Sequence, residues 1–171
     1  PVMKTTDENG RDHFKGHAIA SEQIAKTVMK RLKFDNDTIR KVTKLVAYHD
    51  YRMEPTGANV RRAMHEIGVE LFPYYLAVRL ADTKAQSSYE RRGKLENIIQ
   101  IRELYRNALR NKECVTLKDL AVTGTDLINL GIAPGKELGT LLNELLDMVI
   151  EDPAWNQKGK LCDYVKERFG F

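Results

Sequence analysis

Apolar residues recur along this chain at three- and four-residue spacing, the period of a helix buried on one face, and two-residue alternation is nearly absent. Ile19, Ile24, Val28 and Leu32 track one face of a first helix over about 17–33. Asp35-Asn36-Asp37 offers capping carboxylates and amides for a second helix ending near Asp50, with Ile39, Val42, Leu45 and Val46 inward. Pro55-Thr56-Gly57 interrupts the chain, and Asn59 to Ile67 reads as a short surface helix carrying Arg61, Arg62 and an exposed His65. Pro73 opens a fourth helix to about Ser87. A long fifth follows from about Tyr89 to Asn111, with Leu95, Ile98, Ile101, Tyr105 and Ala108 as its seam. The pattern then shortens. Thr116 and Thr125 read as caps of short helices and Gly131 as a helix-ending glycine. Pro134-Gly135 opens a helix whose Leu138, Leu141, Leu142, Leu145 and Val149 form a clean stripe, stopped by Pro153. A last amphipathic helix covers Lys158 to Phe169. The expected class is all-α: a helical bundle over 1–112 and a small helical tail subdomain over 113–171.

Composition narrows the setting. A hydrophobic share of 42% beside 30% charged residues is that of a globular chain, and Arg79 breaks the nearest long apolar run, so no membrane partner is expected. Cys114 and Cys162 are too few and too far apart for a disulfide framework or a thiolate zinc site, and read as reduced small hydrophobes in a cytoplasmic protein. The net charge of +4 hides an asymmetry, because residues 1–112 carry +8 and residues 113–171 carry −4. That split points to a polyanion partner for the first part, or to solvated lysines on helix surfaces.

Three phrases carry metal-capable side chains: Gly16-His17-Ala18, Tyr48-His49-Asp50 and Leu80-Ala81-Asp82. Imidazole and carboxylate from separate helices of one bundle can converge on a divalent ion, and this donor set suits zinc, iron, manganese or nickel. His17, His49 and Asp82 are therefore expected to face one cleft, with Asp50 a weaker ligand and His13 an outer group or a solvated one. Asp35 and Asp37 have the spacing of a polymerase metal pair but no strand before them, and capping accounts for both. No catalytic side chain is assigned.

For polyanion contact the candidates lie on the fifth helix. Arg102, Arg106 and Arg110 fall at i, i+4 and i+8, a stripe about 12 Å long, with Lys94 on the same face and Arg91-Arg92 at its entry. Such a stripe either meets successive phosphates without reading bases or is simply solvated. Gly135 and Gly139 sit four apart at a helix start, open to an anion or to a tightly packed neighbouring helix.

The His, His-Asp, Ala-Asp order resembles the second half of an HD-type metal-dependent phosphohydrolase domain, whose His-Asp dyad would precede Pro1. The tail phrases Leu117-Lys118-Asp119-Leu120, Thr123-Gly124-Thr125-Asp126-Leu127-Ile128, Gly131-Ile132-Ala133-Pro134-Gly135-Lys136-Glu137-Leu138-Gly139 and Glu151-Asp152-Pro153-Ala154-Trp155-Asn156 resemble the end of bacterial CCA-adding tRNA nucleotidyltransferases and poly(A) polymerases. That resemblance spans nearly the whole chain. It implies the C-terminal part of an HD-containing nucleotidyltransferase, contributing tRNA or other RNA binding and an incomplete phosphohydrolase site. It also implies a polymerase head, outside these residues, that uses Mg²⁺ with ATP or CTP. Mn²⁺, Ni²⁺ or another transition metal would suit the HD site, and the chain alone is expected to be inactive. The rival expectation is a metal-dependent phosphohydrolase acting on nucleotides or phosphoesters, with the tail as a cap.

Overall fold

A computed structural model describes residues 5–6, 8, 12–13, 16–85, 88 and 90–170. After a two-residue antiparallel ladder, β1 (Thr5–Thr6) with β2 (Asp12–His13), the described residues form eight α-helices: α1 (His17–Arg31), α2 (Asn36–Tyr48), α3 (Gly57–Ile67), α4 (Phe72–Ala85), α5 (Arg91–Arg110), α6 (Gly124–Asn129), α7 (Lys136–Glu151) and α8 (Lys158–Phe169). A single 3-10 turn, Pro153–Trp155, links the last two. The all-α expectation holds. The expected Ser87 and Tyr89 helix ends, and any side-chain role for His13, lie outside the described residues.

The chain divides into two compact units, one of Pro1–Arg52 with Val69–Leu95, the other of Met53–Gly68 with Glu96–Phe171. This division differs from a single cut at residue 112, because α3 and most of α5 fold with the tail.

In the first unit α2 packs against α1 and α4. Asp35 caps α2 by accepting the Thr38 N–H at 2.9 Å, as its sequence position predicts. The core forms around Phe72, Tyr75 and Leu76 of α4 and Ile39 of α2. The first helix is a correction. No residue of α1 is buried, and Ile19, Ile24 and Leu32 are 69%, 64% and 60% exposed. Its half-buried side carries Ala18, Ser21, Ala25 and Met29 instead. Small side chains let two helix axes approach closely, so the alanine face, not the isoleucine face, turns inward.

The second unit is built on α7. Leu141, Leu145, Leu146, Val149 and Ile150 are buried with Leu127 of α6 and Leu161 and Val165 of α8, close to the stripe read from sequence. Leu138 and Leu142 are partly buried against this core and lie 3.6 and 3.8 Å from where a Cβ at Gly124 would stand. Cys114 is buried and free, and burial pushes its thiol up to about 11, which keeps it protonated and unreactive.

Two cap assignments shift. Thr123, not Thr125, caps α6, in a reciprocal box with Asp126. Thr116 bonds Asp119 in a turn rather than starting a helix. Asp126 also receives Lys158 Nζ at 2.5 Å, and these bonds hold its carboxyl down at about 2. A carboxyl depressed in the folded state stabilises above its unfolded pKa and loses that contribution as pH falls toward the folded one. The sensitive window is thus about pH 4 to 2. In acid titration followed by circular dichroism, Asp126→Asn is expected to lower stability at neutral pH and flatten its loss across that window; an unchanged acid limb would contradict the assignment.

The third helix is not a surface helix. Arg61 is 8% exposed and donates Nε to Ile150 O at 2.7 Å, Nη2 to Glu151 O at 3.0 Å and Nη1 to Glu113 Oε2 at 2.8 Å. It thereby closes the C-terminal carbonyls of α7, where a cation also suits the helix dipole. Gly57 permits this placement, for a Cβ there would stand 3.0 Å from Nη1. His65 is exposed as expected, yet its Nδ1 donates to Val115 O at 2.8 Å.

Candidate functional site

His17 is the first residue of α1, after Gly16 at φ 79°, and His49 follows the last turn of α2. Their Nε2 atoms lie 2.9 Å apart, with ring centroids 4.8 Å apart and planes at 76°. His49 Nδ1 is 2.6 Å from Val46 O. A carbonyl only accepts, so His49 Nδ1 carries a proton and donates to it, and across the ring pair one Nε2 donates to the other. The same backbone bond fixes the ring orientation, as is common for imidazole ligands.

Asp82, on α4, lines a small cleft of about 30 Å³ together with His49, Asp50, Arg52, Arg79, Thr83 and Lys94. His49 and Asp82 also border an apolar groove of about 660 Å³ walled by Val42, Leu45 and Val46 of α2 and by Val78, Ala81 and Ala85 of α4. The structure brings His17 to His49 and places Asp82 on the cleft that His49 also borders. Among the described residues no group of three His, Cys, Asp or Glu side chains is gathered to hold a metal ion. Asp50 is exposed and ion-paired with Arg52 at 3.1 Å. Asp35 caps α2 and Asp37 pairs with Arg40 and Lys41, which leaves neither as a polymerase carboxylate.

Two cleft residues escaped sequence reading. Arg79 is 8% exposed, donates Nη1 to Tyr75 Oη at 3.2 Å and lies 5.8 Å from that ring's centroid. Tyr75 Oη in turn donates to Tyr51 O at 2.7 Å. Burial raises the Tyr75 phenol, against the opposing pull of Arg79, so it stays a neutral donor. Thr83 is the second, 6% exposed and one turn beyond Arg79. A buried arginine at i and a threonine at i+4 in an apolar helix was the available signal.

On α5, Arg106 is exposed and pairs with Glu103 at 2.7 Å, Arg110 is exposed and bonds Asn107, and Arg102 is half-buried. Arg92 is exposed and Arg91 half-buried at the helix start. Lys94 is half-buried and lines the His49 cleft. Gly135 precedes α7 at φ 147°, a conformation that favours glycine. Among the described residues nothing lies within 4 Å of a Cβ at Gly135 or Gly139, and no described helix packs closely there.

The family model described as tRNA nucleotidyltransferase domain 2 matches residues 17–165. The chain belongs to that family. The match opens on His17 and takes in the His49–Asp82 cleft, the arginines of α5 and Gly135. No curated protein and no solved structure matches the chain. No helix of this tRNA nucleotidyltransferase domain, among the described residues, is long and apolar enough to cross a membrane.

Proposed function

We propose that this domain holds tRNA for a nucleotidyltransferase, gripping its phosphate backbone rather than reading its bases. The observation that carries the reading is the family match over 17–165, joined to exposed arginines at helical spacing on α5. Guanidinium groups one turn apart suit successive phosphates, and their affinity is electrostatic. Nucleotide addition itself, with Mg²⁺ and ATP or CTP, is assigned to a polymerase head outside these residues. Titration of labelled tRNA with the full chain, read by fluorescence anisotropy, tests the grip. Log affinity is expected to fall linearly with log salt, and no binding at about 50 mM salt would contradict the reading.

A second reading is favoured by the imidazole pair: phosphoryl chemistry at the His49 cleft, of the HD phosphohydrolase kind. Two imidazoles with one tautomer fixed fit part of a transition-metal donor set, and a bound ion would supply charge to a phosphoryl oxygen. The third ligand is not gathered with them, so no step is routed through an ion. Calorimetric titration with Mn²⁺ or Ni²⁺ is expected to show one ion per chain, lost in His49→Ala. No uptake by the wild-type chain would remove the metal from this reading.

A further inference from the structure

We propose that the apolar groove between α2 and α4 receives helix α1 of a second copy of this chain, in a two-fold symmetric dimer. Every residue involved belongs to the first unit, and neither tRNA nor phosphoryl chemistry enters. Three helices turn side chains toward this groove. Val42, Leu45 and Val46 of α2 form its floor, yet they are only half-buried, whereas Leu141, Leu145 and Leu146 of α7 are buried in the core of the second unit. Val78, Ala81 and Ala85 of α4 make one wall, and Tyr74, 63% exposed, extends their stripe by a turn. A continuous apolar surface of this kind marks an interaction site.

The opposite wall is α1, which contributes Ser21. Ile24 and Val28 follow Ser21 at i+3 and i+7, and Arg31 follows Ile24 at i+7, so all lie toward one side of α1. Ile24 is the middle residue of the helix and is 64% exposed. The edge of α1 beside the groove is therefore an apolar ridge that ends in a cation. A ridge running beside a groove is self-complementary under a two-fold axis, because each ridge enters the other copy's groove. A separate helical partner would fill the groove and leave Ile24 in water. The two-fold arrangement covers both, and sets the two α1 helices side by side.

Charge agrees with that symmetry. Asp82 borders the groove together with His49, and His49 touches His17, so Asp82 marks the N-terminal end of α1. Arg31, at the other end of α1, lies about 21 Å away by helix rise. A two-fold axis near Ile24 makes the paired α1 helices antiparallel. It thus brings the partner's Arg31 to the Asp82 end of the groove, and the contact occurs twice.

Sedimentation velocity of the full chain over a concentration series reads the dimer directly. Wild type is expected to pass from monomer to dimer below about 100 μM. Ile24→Glu is expected to weaken dimerisation about tenfold or more, since it sets a charge in the apolar contact. Its position is exposed, and circular dichroism confirms the fold. Arg31→Glu is expected to weaken dimerisation about tenfold by placing a carboxylate against Asp82. Adding Asp82→Arg to Arg31→Glu exchanges the two charges, and is expected to recover the wild-type constant to within about threefold. A wild type still monomeric at about 100 μM overturns the proposal, as does a dimer indifferent to Ile24→Glu. So does a folded double variant that dimerises no more tightly than Arg31→Glu alone.

Discussion

Arg61→Ala is expected to destabilise the second unit by about 3–5 kcal/mol, the range for removing one partner of a buried ion pair. The Arg61 and Glu113 side chains are 9% and 17% exposed, so neither is well screened by solvent. Truncation leaves the Glu113 carboxylate with only the Asn111 amide at 3.1 Å, and it leaves Ile150 O, within a buried residue, without its donor. It also uncaps the end of the helix that carries the core leucines. Glu113→Gln removes charge but keeps a hydrogen-bonding side chain, and is expected to cost markedly less. Urea unfolding checks both: the midpoint of Arg61→Ala falls with its slope unchanged. A midpoint within experimental error of wild type would show that Arg61 is replaceable surface charge.

Legibility in the sequence followed the physics of each element. Helix α8 was read to its observed ends and α7 nearly so, because their apolar stripes and the prolines around α7 are local signals. The inward face of α1 was misread because hydrophobicity favoured Ile24 and Leu32, whereas close packing favoured Ala18 and Ala25. Arg61 was misread for a related reason. Charge predicts exposure, and nothing local reveals that Glu113 and the end of α7 lie across from it. Phrasing singled out His17, His49 and Asp82; the structure sets His17 against His49, and His49 and Asp82 line the cleft. Arg79 and Thr83 were not legible, since their burial depends on the elements packed against α4.

The central claim, that α5 grips tRNA phosphates, meets its most direct test in the triple change Arg102→Ala, Arg106→Ala and Arg110→Ala. Alanine preserves helix propensity, and Arg106 and Arg110 are exposed, so the fold is expected to persist. Glu103 holds Arg106 in the free chain, and phosphate must outcompete that bond; exposed pairs of this kind are worth only about 0–1 kcal/mol. Each lost phosphate contact shallows the log-affinity against log-salt slope by about 0.9 unit on duplex segments and about 0.7 on single strands. The account predicts a slope reduced by about 2–3 units and affinity weakened at least tenfold at about 50 mM salt, with unchanged circular dichroism. Wild-type slope and affinity in the folded triple variant would contradict it.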